Sequence, residues 1–173
     1  MTRRVFYSFD YQQDSWRAAM VRNIGVVQRQ RPVIDNRWEE VKQGEDAAIK
    51  RWIDEQLRYR SCTIVLIGAK TASCRWVQYE IQRSVDTGKG LLGIRIHQLM
   101  DQYQQTMPAG PNPFELFTLS NGQRLSSHVP AYDSVGTTST ESYAYISQHL
   151  QGWIETAIAA RPIARCTRVA MGE

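Results

Sequence analysis

Apolar positions along the chain follow two periods. Runs of β-branched, aliphatic or aromatic residues at 4–8, 31–35, 63–67, 91–96 and 128–132 are short and bounded by turn residues, which predicts strands. Between them lie segments with helical spacing. Trp16, Met20, Ile24 and Val27 predict a buried stripe on a first helix capped by Ser15. Ile49, Trp52, Ile53 and Leu57 form the apolar face of a second helix over 44–59. Val77, Ile81 and Val85 repeat at i, i+4, i+8 on a third, with Ser73 as its cap and Gly88 as its stop. Ile146, Leu150, Trp153, Ile154 and Ala157 mark a last helix over 142–160. The polar segment from Gln98 to Phe114 holds Pro108, Pro111 and Pro113 and reads as a loop; Asn121-Gly122 predicts a hairpin turn within 115–126.

Strands alternating with crossover-length helices give a mostly parallel sheet with helices on both faces. The expected fold is an α/β, flavodoxin-like three-layer sandwich with strand order 2-1-3-4-5. Pro32 suits a strand at the sheet edge. In such a sheet ligands gather at the carboxyl ends of the strands, near the switch in strand order. Here that point lies between the first and third strands, where Ser8 and Asp10 meet the start of the 75–86 helix. Read without a ligand, Ser8 and Asp10 are a helix cap and a turn acid. Asp35 would end the second strand on the same side.

The length of 173 residues suits one domain over 1–160, followed by a basic tail over 161–173 that is expected to fray. Hydrophobic residues at 42% and charged residues at 22% are ordinary for a globular chain. No apolar run approaches the ~18 residues of a membrane span. The N-terminus carries no apolar leader, and the three cysteines show no CxxC spacing, so a cytoplasmic protein without disulfides is expected. The net charge of +4 is scattered, which argues against a nucleic-acid surface and suits a small phosphate-bearing ligand.

Several chemistries are excluded. His97, His128 and His149 have no HExxH or HxxxH spacing, and no metal site is expected. GxSxG, P-loop and GxGxxG motifs are absent. The third strand ends in Ile67-Gly68-Ala69, so a phosphoacceptor acid of the receiver kind is missing. What remains is Glu80, four residues after Trp76 on a stripe about 100° from the apolar face. By geometry alone it is a solvated surface acid paired with Arg75 or Arg83.

The neighbouring residues point further. Ile-Gly-x-x-Thr-x-Ser-x-x-Trp-Val-x-x-Glu-Ile over 67–81 resembles TIR (Toll/interleukin-1 receptor) domains, among which NAD-cleaving members carry a catalytic glutamate on this helix. Arg-Val-Phe-Tyr-Ser-Phe over 4–9, Gly-Lys-Gly-Leu-Leu-Gly-Ile-x-Ile-His over 88–97 and Gly-Pro-Asn-Pro-Phe over 110–114 are similar to the TIR-like proteins of the bacterial Thoeris anti-phage system. The resemblance implies a TIR-like enzyme that cleaves NAD at the ribose–nicotinamide bond. Its product would be a cyclic ADP-ribose signal for a separate effector, reached through that product and not by contact. It implies Glu80 as the catalytic acid, with Phe6, Tyr7, Ser8, Phe9, Asp10, Asp35, Trp38 and Trp76 on the substrate side. NAD is substrate and no cofactor is expected; self-association is. Asp10 departs from a His associated with that loop in relatives. Two other readings stay open: a non-catalytic TIR-like interaction module, and a nucleoside N-glycosidase or ribosyl-transfer enzyme of similar fold.

Overall fold

A computed structural model describes residues 3–24, 44–162 and 164–169. The predicted strand over 31–35 lies outside them. Strand β1 (Val5–Ser8) is followed by helix α1 (Tyr11–Arg22) and then α2 (Asp46–Arg58). Strand β2 (Cys62–Ile67), helix α3 (Arg75–Asp86) and strand β3 (Gly90–Arg95) form the central crossover unit. The remainder is β4 (Phe117–Leu119), β5 (Ala131–Tyr132), α4 (Ser139–Ala159) and β6 (Cys166–Arg168).

Strands β1, β2, β3 and β5 form one parallel sheet in that order. Among the described strands this is the expected sequence of neighbours. Every residue of β2 is buried, because a central parallel strand is covered on both faces. One face carries Val5, Ile64, Leu66, Leu92 and Ile94 against Val21 of α1 and Ile146, Leu150 and Trp153 of α4. On the other, Val65, Ile67 and Leu91 pack against Val77, Ile81 and Val85 of α3. Phe6 packs there against Ile49, Ile53 and Leu57 of α2. The result is the expected three-layer sandwich. Gly88 ends α3 with φ 70°, in the left-handed region where a side chain is unfavourable.

Four expectations need correction. Helix α1 begins after Asp10, whose carboxylate accepts from the Gln12 N–H at 3.1 Å. Ser15 lies inside the helix, where its hydroxyl donates to the Tyr11 carbonyl. The same helix buries Asp14, Arg17, Ala18 and Val21 while Trp16 is 53% exposed. An apolar stripe cannot anticipate this, because the polar side chains of the buried face find partners inside the protein. Helix α3 begins one residue later than expected, with Cys74 at its N-cap and Ser73 in a short 3-10 turn. Finally, the tail does not fray where it is described. Strand β6 pairs antiparallel with β4 through Phe117↔Arg168 and Leu119↔Cys166. The Asn121-Gly122 turn is present, with Gly122 at φ 85°, but leads back only to a single bridge between Thr118 and Arg124.

Candidate active site

The end of β1 and the second turn of α3 meet beneath the carboxyl edge of the sheet. Strand side chains alternate between faces. Val5 therefore packs toward α1 and α4, while Phe6 and Ser8 point to the α2 and α3 side. Ser8 is fully buried, and its hydroxyl donates to Oε2 of Glu80 across 72 residues of chain. Glu80 is 5% exposed and belongs to the buried residues of α3, with Ser84 one turn on. The surface-acid reading of Glu80 thus fails. Arg75 pairs instead with Asp46, and Arg83 with Asp54 at 2.9 Å.

Burial with no cation among the described residues beside it has a direct electrostatic consequence. It pushes the Glu80 carboxyl up from its ordinary 4.5 to about 8, and the Ser8 hydroxyl works in the opposite sense. At neutral pH the resting side chain is mostly the neutral acid. Its helix turn is tied down separately. The Ser84 hydroxyl donates to the Glu80 backbone carbonyl at 2.6 Å and lies 2.7 Å from the Thr63 hydroxyl on β2.

The other expected site residues distribute unevenly. Asp10 caps α1, next to the end of β1. Cys74 stands at the N-cap of α3, where burial pushes its thiol up, the backbone N–H groups of Val77 and Trp76 oppose that, and the Asp10 and Glu80 carboxylates add to it. Of the expected site residues, Ser8 and Glu80 are the pair brought into direct contact. Phe6 is a core residue. Tyr7 packs on the opposite face of the sheet from Glu80, its hydroxyl buried without a partner among the described residues and its proton held more tightly as a result. Phe9 is half-buried against the α1 side, with the Arg22 guanidinium 5.6 Å from its ring. Trp76 is half-buried between the Arg75 guanidinium, 4.5 Å from its ring, and the edge-on ring of Tyr79. Asp35 and Trp38 lie outside the described residues.

A charged pair beside the site has no counterpart in the sequence reading. Asp14 is wholly buried and Arg17 is 2% exposed, with Nη1 of Arg17 3.5 Å from Oδ1 of Asp14. The guanidinium also donates to the Leu99 and Gln105 carbonyls, each at 2.7 Å. It thereby fastens the loop after β3 to α1. Burial lifts the Asp14 carboxyl from 3.8 to about 6, against the pull of Arg17. The carboxylate sits against Gly68 at the end of β2, where an added Cβ would lie 2.2 Å from Oδ2. On the other side of that backbone Gly110 packs so closely that its own Cβ would meet the Gly68 oxygen at 2.2 Å. The 110–114 motif is thus a packing element: Gly110 admits the β2 end, the Asn112 side chain caps a short turn, and Phe114 fills the core. An Asp and an Arg three apart on an amphipathic helix are usually exposed, so no local signal marks this pair.

Among the described residues no group of three or more His, Cys, Asp or Glu side chains is placed to hold a metal. No helix among them is long and apolar enough to cross a membrane.

A parallel α/β sandwich with one buried acid on the crossover helix, facing the carboxyl end of the first strand, has the architecture of a TIR-like domain. Residues 6–101 match the family described as Thoeris protein ThsB, TIR-like domain, and the chain belongs to that family. It is also 42% identical over 120 residues to the Bacillus cereus (strain MSX-D12) protein named "Putative cyclic ADP-D-ribose synthase ThsB1". That match covers 66% of this chain and 62% of the relative, so the chain spans less than two thirds of the relative's length.

Proposed function

We propose that this protein cleaves NAD at the ribose–nicotinamide bond in Thoeris defence and forms a cyclic ADP-ribose-type product, with Glu80 as the catalytic acid. The observation that carries the reading is the buried carboxyl of Glu80 held against the end of β1, in a chain of this family. The name of the B. cereus relative supports the nature of the product.

The chemistry suits a single acid. In NAD the glycosidic nitrogen carries a positive charge. When the bond to C1′ breaks, its electron pair goes to that nitrogen and nicotinamide leaves neutral, with no proton required. The ribosyl carbon becomes oxocarbenium-like, and a carboxylate aimed at it stabilises the developing charge. An internal nucleophile of the same molecule then adds to C1′ and, if it bears a proton, loses it, which closes the ring. Water in its place gives linear ADP-ribose. A bound cation favours the ionised form of Glu80, so substrate itself draws the proton from an acid that rests neutral.

NAD serves as substrate, and no separate cofactor is needed. Ser8 holds the acid, Asp10 and Cys74 cap the helix that follows β1 and the one that carries Glu80, and Trp76 braces the Glu80 helix. The product acts on a separate effector, and self-association of the domain gates turnover. The near-complete burial of Glu80 supports such gating, because substrate must reach an acid that is 5% exposed at rest. The test is incubation of the protein with NAD, alone and with lysate of phage-infected cells, following nicotinamide release and product mass. A product lighter than ADP-ribose by one water, absent with Glu80→Gln, supports the reading. Linear ADP-ribose alone would restrict it to hydrolysis. Nicotinamide release by Glu80→Gln at the wild-type rate would remove Glu80 from the mechanism.

A further inference from the structure

Among the described residues, the acid at the centre of this site is hydrogen-bonded by one neighbour. Burial raises its proton affinity and the Ser8 hydroxyl lowers it, and no cation among the described residues acts on it. The nearby guanidinium groups of Arg75 and Arg83 are engaged by Asp46 and Asp54. Ser8 is itself fully buried at the last position of β1, in register with Val65 of the central strand. A hydroxyl so placed has a rigid backbone behind it and one aim in front.

From this geometry we infer that Ser8 is a positioning residue for Glu80: its hydroxyl fixes the direction of the carboxyl and holds the carboxylate once it forms. The inference rests on the proposed catalytic role of Glu80. The division of labour is physical. The Thr63–Ser84 pair fixes where the helix turn stands, through the Glu80 backbone carbonyl. Among the described residues, Ser8 is the one that hydrogen-bonds the carboxyl. A donor stabilises the ionised acid more than the neutral one, because a charged acceptor makes the stronger hydrogen bond. Without it the carboxyl keeps its proton to higher pH and loses its orientation. The neutral acid cannot stabilise a developing cation, so the reaction slows most where wild type is just ionised.

The experiment has two readouts. Carbon-13 NMR of labelled glutamate carboxyls follows the titration of Glu80 in the free protein, assigned by its absence in Glu80→Gln. Ser8→Ala should move the Glu80 midpoint upward by about one pH unit. Ser8→Thr should return it toward wild type, and Ser84→Ala should leave it in place. Under conditions in which wild type cleaves NAD, Ser8→Ala should lower kcat roughly 10-fold or more near neutral pH with little change in KM. The loss should shrink as pH rises, since the rising limb of the profile moves to alkaline pH. Should Ser8→Ala not fold, Ser8→Cys, which nearly keeps the volume and weakens the donor, is read by the same criteria. An unmoved Glu80 midpoint in the serine variant overturns the inference, as does a loss of activity independent of pH that Ser8→Thr fails to restore. An active Glu80→Gln, by contrast, removes the catalytic reading while leaving the titration result intact.

Discussion

Replacing Glu80 with glutamine should stabilise the protein at neutral pH while removing its activity. Burial raises the carboxyl from 4.5 to about 8 in the folded state. In the unfolded chain it titrates near its ordinary value. Below pH 4.5 both states hold the proton and the group has no pH-dependent effect on stability. Between 4.5 and about 8 the unfolded chain releases a proton that the folded protein keeps, so stability falls as pH rises. At about 1.4 kcal/mol per pH unit, the loss by pH 7 is roughly 3 kcal/mol. Glutamine has nearly the same shape, still accepts from Ser8, and carries no titrating proton. The variant should therefore match wild type near pH 4.5 and exceed it by roughly 3 kcal/mol at pH 7. This differs from the change well under ~1 kcal/mol expected of a residue beside the apolar face; the structure puts Glu80 on that face. Urea unfolding followed by circular dichroism at the two pH values measures the difference. Other titrating groups are common to both proteins and cancel. NAD cleavage should fall roughly 10²–10³-fold, the usual cost of losing an aimed electrostatic contact. A stability difference that is the same at both pH values would refute the buried neutral acid, whatever happens to the rate.

Three further outcomes follow from the packing. Arg17→Met keeps apolar bulk but leaves Asp14 unpaired and frees the Leu99 and Gln105 carbonyls; it should cost about 3–5 kcal/mol in chemical denaturation, and a loss under ~1 would show the pair to be dispensable. Gly110→Ala places a methyl 2.2 Å from the Gly68 oxygen and 2.7 Å from the Ala69 oxygen, so at least ~2 kcal/mol should be lost, and an unchanged melting curve would count against the tight packing of the two segments. Trp76→Ala should cost about 1–3 kcal/mol, not the ~3–5 of a fully buried ring, because part of the side chain stays exposed; a melt identical to wild type would move Trp76 from a bracing role to ligand contact.

Periodicity along the chain determined the order of elements, the three-layer arrangement and the apolar faces of α2, α3 and α4, because burial of a repeating stripe is dictated locally by helix and strand geometry. The stop at Gly88 was equally legible, since a left-handed residue after a helix is a local requirement. Glu80 stood out through the motif around it, but its environment did not. Whether an acid on the flank of an apolar stripe is wet or dry depends on what stands opposite, and that is Ser8, 72 residues away. The Asp14–Arg17 pair is the same lesson on α1: charged residues read as surface until carbonyls from Leu99 and Gln105 are brought to them. Strand β6 belongs to the same class, as its short basic segment acquires strand character only from the edge that β4 presents. Sequence pattern reports how each segment prefers to divide apolar from polar. Tertiary structure decides which polar groups are taken inside, because only there do their partners, and the low dielectric that shifts their protons, come together.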